Sequence, residues 1–304
     1  MIIDAHSHWL PKEIIHNAHF FSPAWGDIEA QVAMMDETGI DKAVLSYPTS
    51  DAHVKVGSLK EVARIYNDAV ARIITRFPDR FIGAAILPFG SSKEMVFELK
   101  RATEQLGFRA LSLASSYDGA YLDDNLFFPV YEIAQKNRIP IFVHPQIINP
   151  IGSERVNDPL LTPVIEYVFD TTISIGKLLM GDVFTLFPEI TLIFSNFGGI
   201  ITHLAHRFDE TYKMLRGINF VKDLGGNPTQ FLKNIYVDTG GDKTRANFLS
   251  ALELLGAQHI LWGSDWPAKK DIKGSREAVS GLPLSQNEIK NILGDTINNL
   301  LKGV

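Results

Sequence analysis

Asp4, His6 and His8 fall at every second position near the start of the chain. In an extended strand a period of two puts all three on one face, with Ile3, Ala5 and Ser7 on the other. Two imidazoles beside a carboxylate are donors that suit a borderline ion such as zinc. The same residue types recur at the ends of two later apolar runs. His144 follows residues 139–143, and Asp265 follows residues 259–262 within Gly263-Ser264-Asp265-Trp266-Pro267. A set of His6, His8, His144 and Asp265 suits zinc best and admits manganese or iron. Cysteine is absent, which excludes thiolate zinc sites, iron–sulfur clusters, disulfides and cysteine nucleophiles.

Donors this far apart in sequence need a scaffold that gathers strand ends. Short β-branched or apolar runs at residues 2–4, 42–46, 81–87, 110–114, 139–143, 191–194, 235–237 and 259–262 alternate with longer helical patterns. A repeating strand–helix rhythm implies parallel strands, and eight repeats imply a closed (β/α)8 TIM barrel, a single domain over residues 1–304. In such a barrel the chemistry gathers at the C-terminal ends of the strands, where the candidate ligands fall. A doubly wound open sheet is the competing architecture, but no Gly-rich phosphate turn follows the first strand. Residues 145–159 form a long loop rich in Pro, Gly and Asn, ahead of a helix expected over 163–180.

The chain has 304 residues, 45% of them hydrophobic, with 29 basic against 35 acidic side chains and a net charge of −6. That describes a soluble globular protein, and without a basic run it argues against nucleic-acid binding. No apolar stretch approaches about 20 residues, so no membrane partner is expected. The first residues lack a basic segment followed by an apolar one, so the expected location is cytoplasmic.

Four segments carry a family resemblance in order along the chain: Ile3-Asp4-Ala5-His6-Ser7-His8, Phe142-Val143-His144-Pro145, Asn196-Phe197-Gly198-Gly199 with Arg207 beyond, and Gly263-Ser264-Asp265-Trp266-Pro267. They resemble the amidohydrolase superfamily, in the branch containing aminocarboxymuconate semialdehyde decarboxylase and related metal-dependent decarboxylases. The resemblance implies that His6, His8, His144 and Asp265 are metal ligands. Asp4 would ligate as well or orient a histidine, and Arg207 would meet a substrate carboxylate. It also implies a homodimer. Two-metal relatives resemble one another in a bridging lysine on strand four, whereas residues 110–116 contain none. One divalent ion is therefore expected.

The chain departs from the family at Asn196, where a histidine is usual. An amide can hold a substrate oxygen but exchanges no proton near neutral pH. The acid–base role then falls to Asp265, with His203 and His206 further along as substitutes. The expected reaction is non-oxidative decarboxylation of a small aromatic or unsaturated carboxylic acid. Metal-dependent hydrolysis of a lactone, ester or amide is the alternative, and a ligand-binding barrel without catalysis is a third reading. Trp9 and Trp266 are expected to wall an apolar pocket. Arg155, on the long loop, would close over the substrate anion or cross a subunit interface. Asp170, Thr171 and Thr172 are expected to cap or pack, and Gly240-Gly241 to mark a turn. His16, His19, His53 and His259 have no assigned partners.

Overall fold

Most strands form where short runs rich in Ile, Val, Leu, Phe and Ala are buried on both faces of a parallel sheet, while the first, Ile3–His8, is buried although four of its six residues are polar. The computed structural model describes residues 1–18, 20–49, 55–156 and 158–302, so His19 and His53 lie outside the described residues. Its main sheet contains β1 (Ile3–His8), β2 (Lys42–Ser46), β3 (Phe81–Ala85), β4 (Ala110–Ala114), β5 (Ile141–His144), β6 (Leu192–Phe194), β7 (Ile235–Asp238) and β8 (Ile260–Leu261). Neighbours pair in sequence order and every pairing is parallel.

The ring closes through the segment after β8. Ala5 N–H donates to the Trp262 carbonyl at 3.0 Å, Asp265 N–H to the His6 carbonyl at 2.8 Å, and His8 N–H to the Trp266 carbonyl at 2.8 Å. Closure of the barrel is therefore what brings Asp265 against the His6–His8 segment, across most of the chain.

Helices fill the outside: α1 (Ile28–Thr38), α2 (Leu59–Arg76), α3 (Ser92–Gln105), α4 (Phe128–Lys136), α5 (Tyr167–Met180), α6 (Ile201–Gly217), α7 (Arg245–Leu255) and α8 (Ile272–Ser280). Sequence signals set their ends. Ser58 and Glu61 form a capping box at the start of α2, and Gly39 ends α1 in the left-handed conformation. The apolar faces of these helices and the outward side chains of the sheet share one large core. Inside the barrel a second, smaller core stacks Ile3, Ala5, Val44, Ala84, Ala110, Phe142, Ile193 and Leu261 with Ile297 and Leu301 of the last helix. That plug leaves the opposite, C-terminal end of the barrel for polar groups.

The described residues of the long loop carry local structure of their own. The loop contains a short helix, Ser153–Val156, and leads into a short π-helix, Thr162–Glu166, before α5 begins. Buried Asp170 of α5 holds it in place. Its carboxylate accepts from Ser115 Oγ at 2.5 Å, Ser116 Oγ at 2.9 Å, Tyr121 OH at 3.3 Å and Ile151 N–H at 3.0 Å. Asp170 thus packs as expected, tying the loop to the end of β4.

Candidate active site

Three strand ends and the barrel closure deliver the site. The β1–β2 register shifts between Asp4 and Ser7, so that His8 sits opposite Ser46. His8 Nδ1 donates to the Ser46 carbonyl at 2.9 Å, His144 Nδ1 to the Pro145 carbonyl at 3.1 Å, and His6 Nδ1 to Asp238 Oδ1 at 2.8 Å. With each Nδ1 donating to an oxygen, the tautomer is fixed and each Nε2 lone pair is free to bind an ion. Ring centroids lie 4.8 Å apart for His6–His8, 5.0 Å for His8–His144 and 5.6 Å for His6–His144, all edge-on. Asp265 Oδ1 is 3.6 Å from His6 Nε2 and 3.5 Å from His8 Nε2.

These separations fit a metal ion. Donors each about 2.1 Å from a common ion stand roughly 3–3.6 Å from one another. The Nε2 atoms of His6 and His8 are 3.0 Å apart in a buried setting. Two bare lone pairs at that distance repel unless a cation or a proton sits between them. The electrostatics show the same demand. Burial opposes charging His6, yet Asp238, with Asp265 and Asp4 behind it, lifts its pKa to about 9. Burial pushes His8 down and His144 well down, the neighbouring histidines adding to the effect. Burial would raise Asp265, but its bond to His8 and the three imidazoles hold it at about 2, so it is a carboxylate. Without an ion, a proton on His6 supplies the positive charge the cluster needs.

Asp4 is the exception among the expected ligands. Its Oδ1 accepts from Ser264 N–H at 2.8 Å and His6 N–H at 3.1 Å, and its Oδ2 from Ser264 Oγ at 2.5 Å. Both oxygens are engaged by Ser264 and the His6 backbone, and Asp4 is not in the group of His6, His8 and His144 donors that lie within 4.8 Å of one another. It neither joins the cluster nor touches an imidazole; it clasps β1 to the end of β8. Burial raises its pKa to about 6, against the lowering effect of the Ser264 bonds. Gly263 makes this approach possible, since a Cβ there would lie 2.4 Å from the His6 Cβ.

A cavity of about 660 Å³ opens over the cluster, lined by His8, His144 and Asp265 on its floor. Phe20, Phe21, Trp25, Pro48, Ile147 and Phe197 give it apolar walls, and Trp25 stacks on the His8 ring at 5.6 Å. Asn196, Thr171, His203, Asp242, Asn247 and Lys269 supply polar groups. Asn196 therefore reaches the cavity as expected, and His203 does too, whereas exposed His206 does not line it.

The expected substrate contacts are corrected more heavily. Trp9 and Trp266 lie outside the lining: Trp9 Nε1 donates to the Gly26 carbonyl at 3.0 Å, and Lys270 stands 4.0 Å over the Trp266 ring. Trp9 follows His8 at the end of β1, where alternation turns its side chain away from the His8 side, and Trp266 follows Asp265, whose left-handed φ of 59° ends any extended alternation. Arg207 is exposed on α6, one turn beyond His203, and borders a separate groove with Met180, Leu204 and Phe208. Arg155 is exposed on its short helix, away from the cavity lining. His259 has a partner after all, donating from Nδ1 to the Ile235 carbonyl at 2.8 Å, while His16 is exposed on the surface. Three contributors escaped sequence reasoning: Asp238, Trp25 and Lys269. For Asp238 a signal existed, an acidic residue closing the seventh apolar run. For the other two, only the folded path of the loops tells.

A closed barrel with a His-x-His strand end, a histidine on the fifth strand and an aspartate after the eighth defines a (β/α)8 protein whose strand ends gather a group of side chains that could hold a metal ion. The chain matches the amidohydrolase family over residues 3–302 and belongs to it. It is 26% identical, over 81% of its length and 68% of the relative's, to 2-amino-3-carboxymuconate-6-semialdehyde decarboxylase of Dictyostelium discoideum. It is 27% identical, over 90% of its length and 87% of the relative's, to gamma-resorcylate decarboxylase of Polaromonas sp.. Among solved structures it resembles dihydroxybenzoic acid decarboxylase from Polaromonas sp., which has bound manganese and the inhibitor 2-nitroresorcinol. That likeness has a TM-score of 0.86 at 21% identity, covering 99% of this chain and 96% of that one.

Proposed function

We propose that the chain is a metal-dependent, non-oxidative decarboxylase of a small aromatic or unsaturated carboxylic acid. The observation that carries this reading is the His6–His8–His144–Asp265 cluster on the floor of a largely apolar cavity. His6, His8, His144 and Asp265 would hold one divalent ion. Zinc suits three imidazoles and a carboxylate, and manganese, bound in the similar Polaromonas structure, is the other strong fit. Such an ion would supply positive charge to fix a carboxylate and an adjacent oxygen.

The chain's own residues do the rest. Trp25, Phe20 and Phe21 cover the ring face and exclude water, which strengthens every charge interaction on the floor. Asn196 offers its amide to a substrate oxygen. Asp265, a carboxylate at neutral pH, takes a proton from a substrate hydroxyl or water and passes it to the carbon bearing the carboxylate. The carbon–carbon bond then breaks, its electron pair remains with the ring, and CO2 departs. Incubating the manganese- or zinc-loaded protein with a panel of hydroxybenzoates should release CO2. Metal bound with no turnover across the panel overturns this reading.

The ionised state of Asp265 also favours a second reading. Asp265 is in the carboxylate form that accepts a proton from water in lactone or ester hydrolysis, although a pKa of about 2 makes it a weaker base than an ordinary carboxylate. Hydrolysis of a lactone or chromogenic ester, without CO2 release from the acids, selects it.

We also propose a cytoplasmic homodimer. No helix among the described residues is long and apolar enough to cross a membrane. Ile151, Val156, Leu160, Val164, Ile165 and Phe169 expose apolar side chains on the loop and helix that supply Ile147, Pro163 and Tyr167 to the cavity. Apolar surface gathered beside a site marks an interface. Light scattering at micromolar concentration should give the mass of two chains; a single-chain mass overturns the dimer.

A further inference from the structure

Lys269 is the one lysine or arginine that lines the cavity among the described residues. Its placement is built. The backbone N–H of Lys269 donates to the Asp265 carbonyl at 2.9 Å, so it lies one turn from a metal-site residue. Its Nζ donates to the Gly240 carbonyl at 2.5 Å. No carboxylate among the described residues lies within 4.0 Å of that ammonium. An ammonium carries three donors, so two remain for a ligand. Asp242, the other charged group on this side, is occupied by Thr244 N–H at 2.7 Å and Asn247 Nδ2 at 2.6 Å.

The turn after β7 shapes the setting. Gly240 and Gly241 have φ of 47° and 68°, a region side chains disfavour. A Cβ on Gly240 would lie 2.1 Å from Asn196 Oδ1, and one on Gly241 2.9 Å from Lys269 Cδ. The two missing side chains therefore leave two adjacent cradles, one for the Asn196 amide and one for the Lys269 stem. What reads in sequence as a plain turn holds, along one edge of the cavity, a hydrogen-bonding amide and an ammonium bonded to the Gly240 carbonyl with no ion-pair partner among the described residues.

We propose that Lys269 and Asn196 form a second anion subsite, and that the preferred ligands carry two acidic groups on one small ring or unsaturated frame. One carboxylate lies over the His8–His144–Asp265 floor, and the second acidic group meets the Lys269 ammonium. A cavity of about 660 Å³ leaves room for such a substituted ring. The proposal rests on the reading of this cavity as a carboxylate site and adds its selectivity.

The test is calorimetric binding of 2-hydroxybenzoate and 4-hydroxyisophthalate to the manganese-loaded protein and to its Lys269→Met and Lys269→Arg variants. The protein should bind the diacid about tenfold tighter than the monoacid or better, because a charge-assisted hydrogen bond is gained. Lys269→Met should lose about tenfold with the diacid and much less with the monoacid, while Lys269→Arg keeps the preference. Equal affinities in the unaltered protein, failure of both acids to bind, or equal losses with both acids in Lys269→Met overturn the subsite. Diacid preference without CO2 release from either acid would uphold the subsite and count against decarboxylation. CO2 release without diacid preference would do the reverse.

Discussion

Asp238 Oδ1 lies 2.8 Å from His6 Nδ1, and the same oxygen accepts the backbone N–H groups of Asn196 at 3.3 Å and Gly240 at 2.9 Å. One buried carboxylate oxygen thus aims a metal-site imidazole and anchors the two backbone positions that carry the polar edge of the cavity. A partner of this kind raises the basicity of the ring it holds and typically accounts for about 10–100-fold in metal affinity. Asp238→Ala should therefore weaken manganese binding by about that factor, read by titration calorimetry. Affinity unchanged within error would assign Asp238 to packing alone.

His144 faces the cluster from β5, and it joins the barrel through its backbone, paired with Ala114 and accepting from Ser115 N–H at 2.8 Å, which alanine would keep. His144→Ala should leave a folded protein, by circular dichroism, that purifies without stoichiometric metal. Full metal content in that variant, read by elemental analysis, would remove His144 from the ligand set.

Asp4 separates a clasp from a ligand. Asp4→Asn keeps one acceptor but breaks the Ser264 arrangement, a loss of about 1–3 kcal/mol for buried groups left poorly paired. The expected outcome is a lower melting temperature with metal content intact. Metal lost at unchanged stability would return Asp4 to the ligands.

The barrel and the gathering of the four candidate ligands were both legible because each is written in local pattern. Eight apolar runs give the strands, and His6, His8, His144 and Asp265 mark strand ends or the loops just beyond them. Asp4 misled for a physical reason: the register of β1 shifts between Asp4 and Ser7, so the period of two does not run unbroken from Asp4 to His6 and His8, and Ile3 and Ala5 pack inside the barrel. Trp9 was misplaced by alternation at the end of β1, which turns it away from the His8 side, and Trp266 by the left-handed backbone at Asp265. Trp25 and Lys269 could not be read at all. They reach the cavity through loop paths and close backbone approaches, such as the Gly240-Gly241 cradles, that no periodicity encodes.

The charge state of His6 gives a prediction with a definite sign. Asp238 lifts its pKa in the folded, metal-free protein to about 9, from 6.5 in a free side chain. The folded state then holds a proton that the unfolded state releases between these values. This contribution is fully present below pH 6.5 and is lost as pH rises through about 9. His8 and His144 have lowered pKa values, so their contribution falls away in the other direction, below about pH 6.5. Between the two limits only His6 among the three is changing. The melting temperature of protein stripped of metal should fall between about pH 6.5 and 9. A bound ion needs the same Nε2 free and displaces that proton, so metal affinity should rise over the interval and the alkaline loss should vanish once manganese is bound. Thermal unfolding with and without manganese, across that range, checks both statements. A metal-free melting temperature that rises with pH would mean that His6 is neutral in the folded protein and that Asp238 orients the ring without charging it.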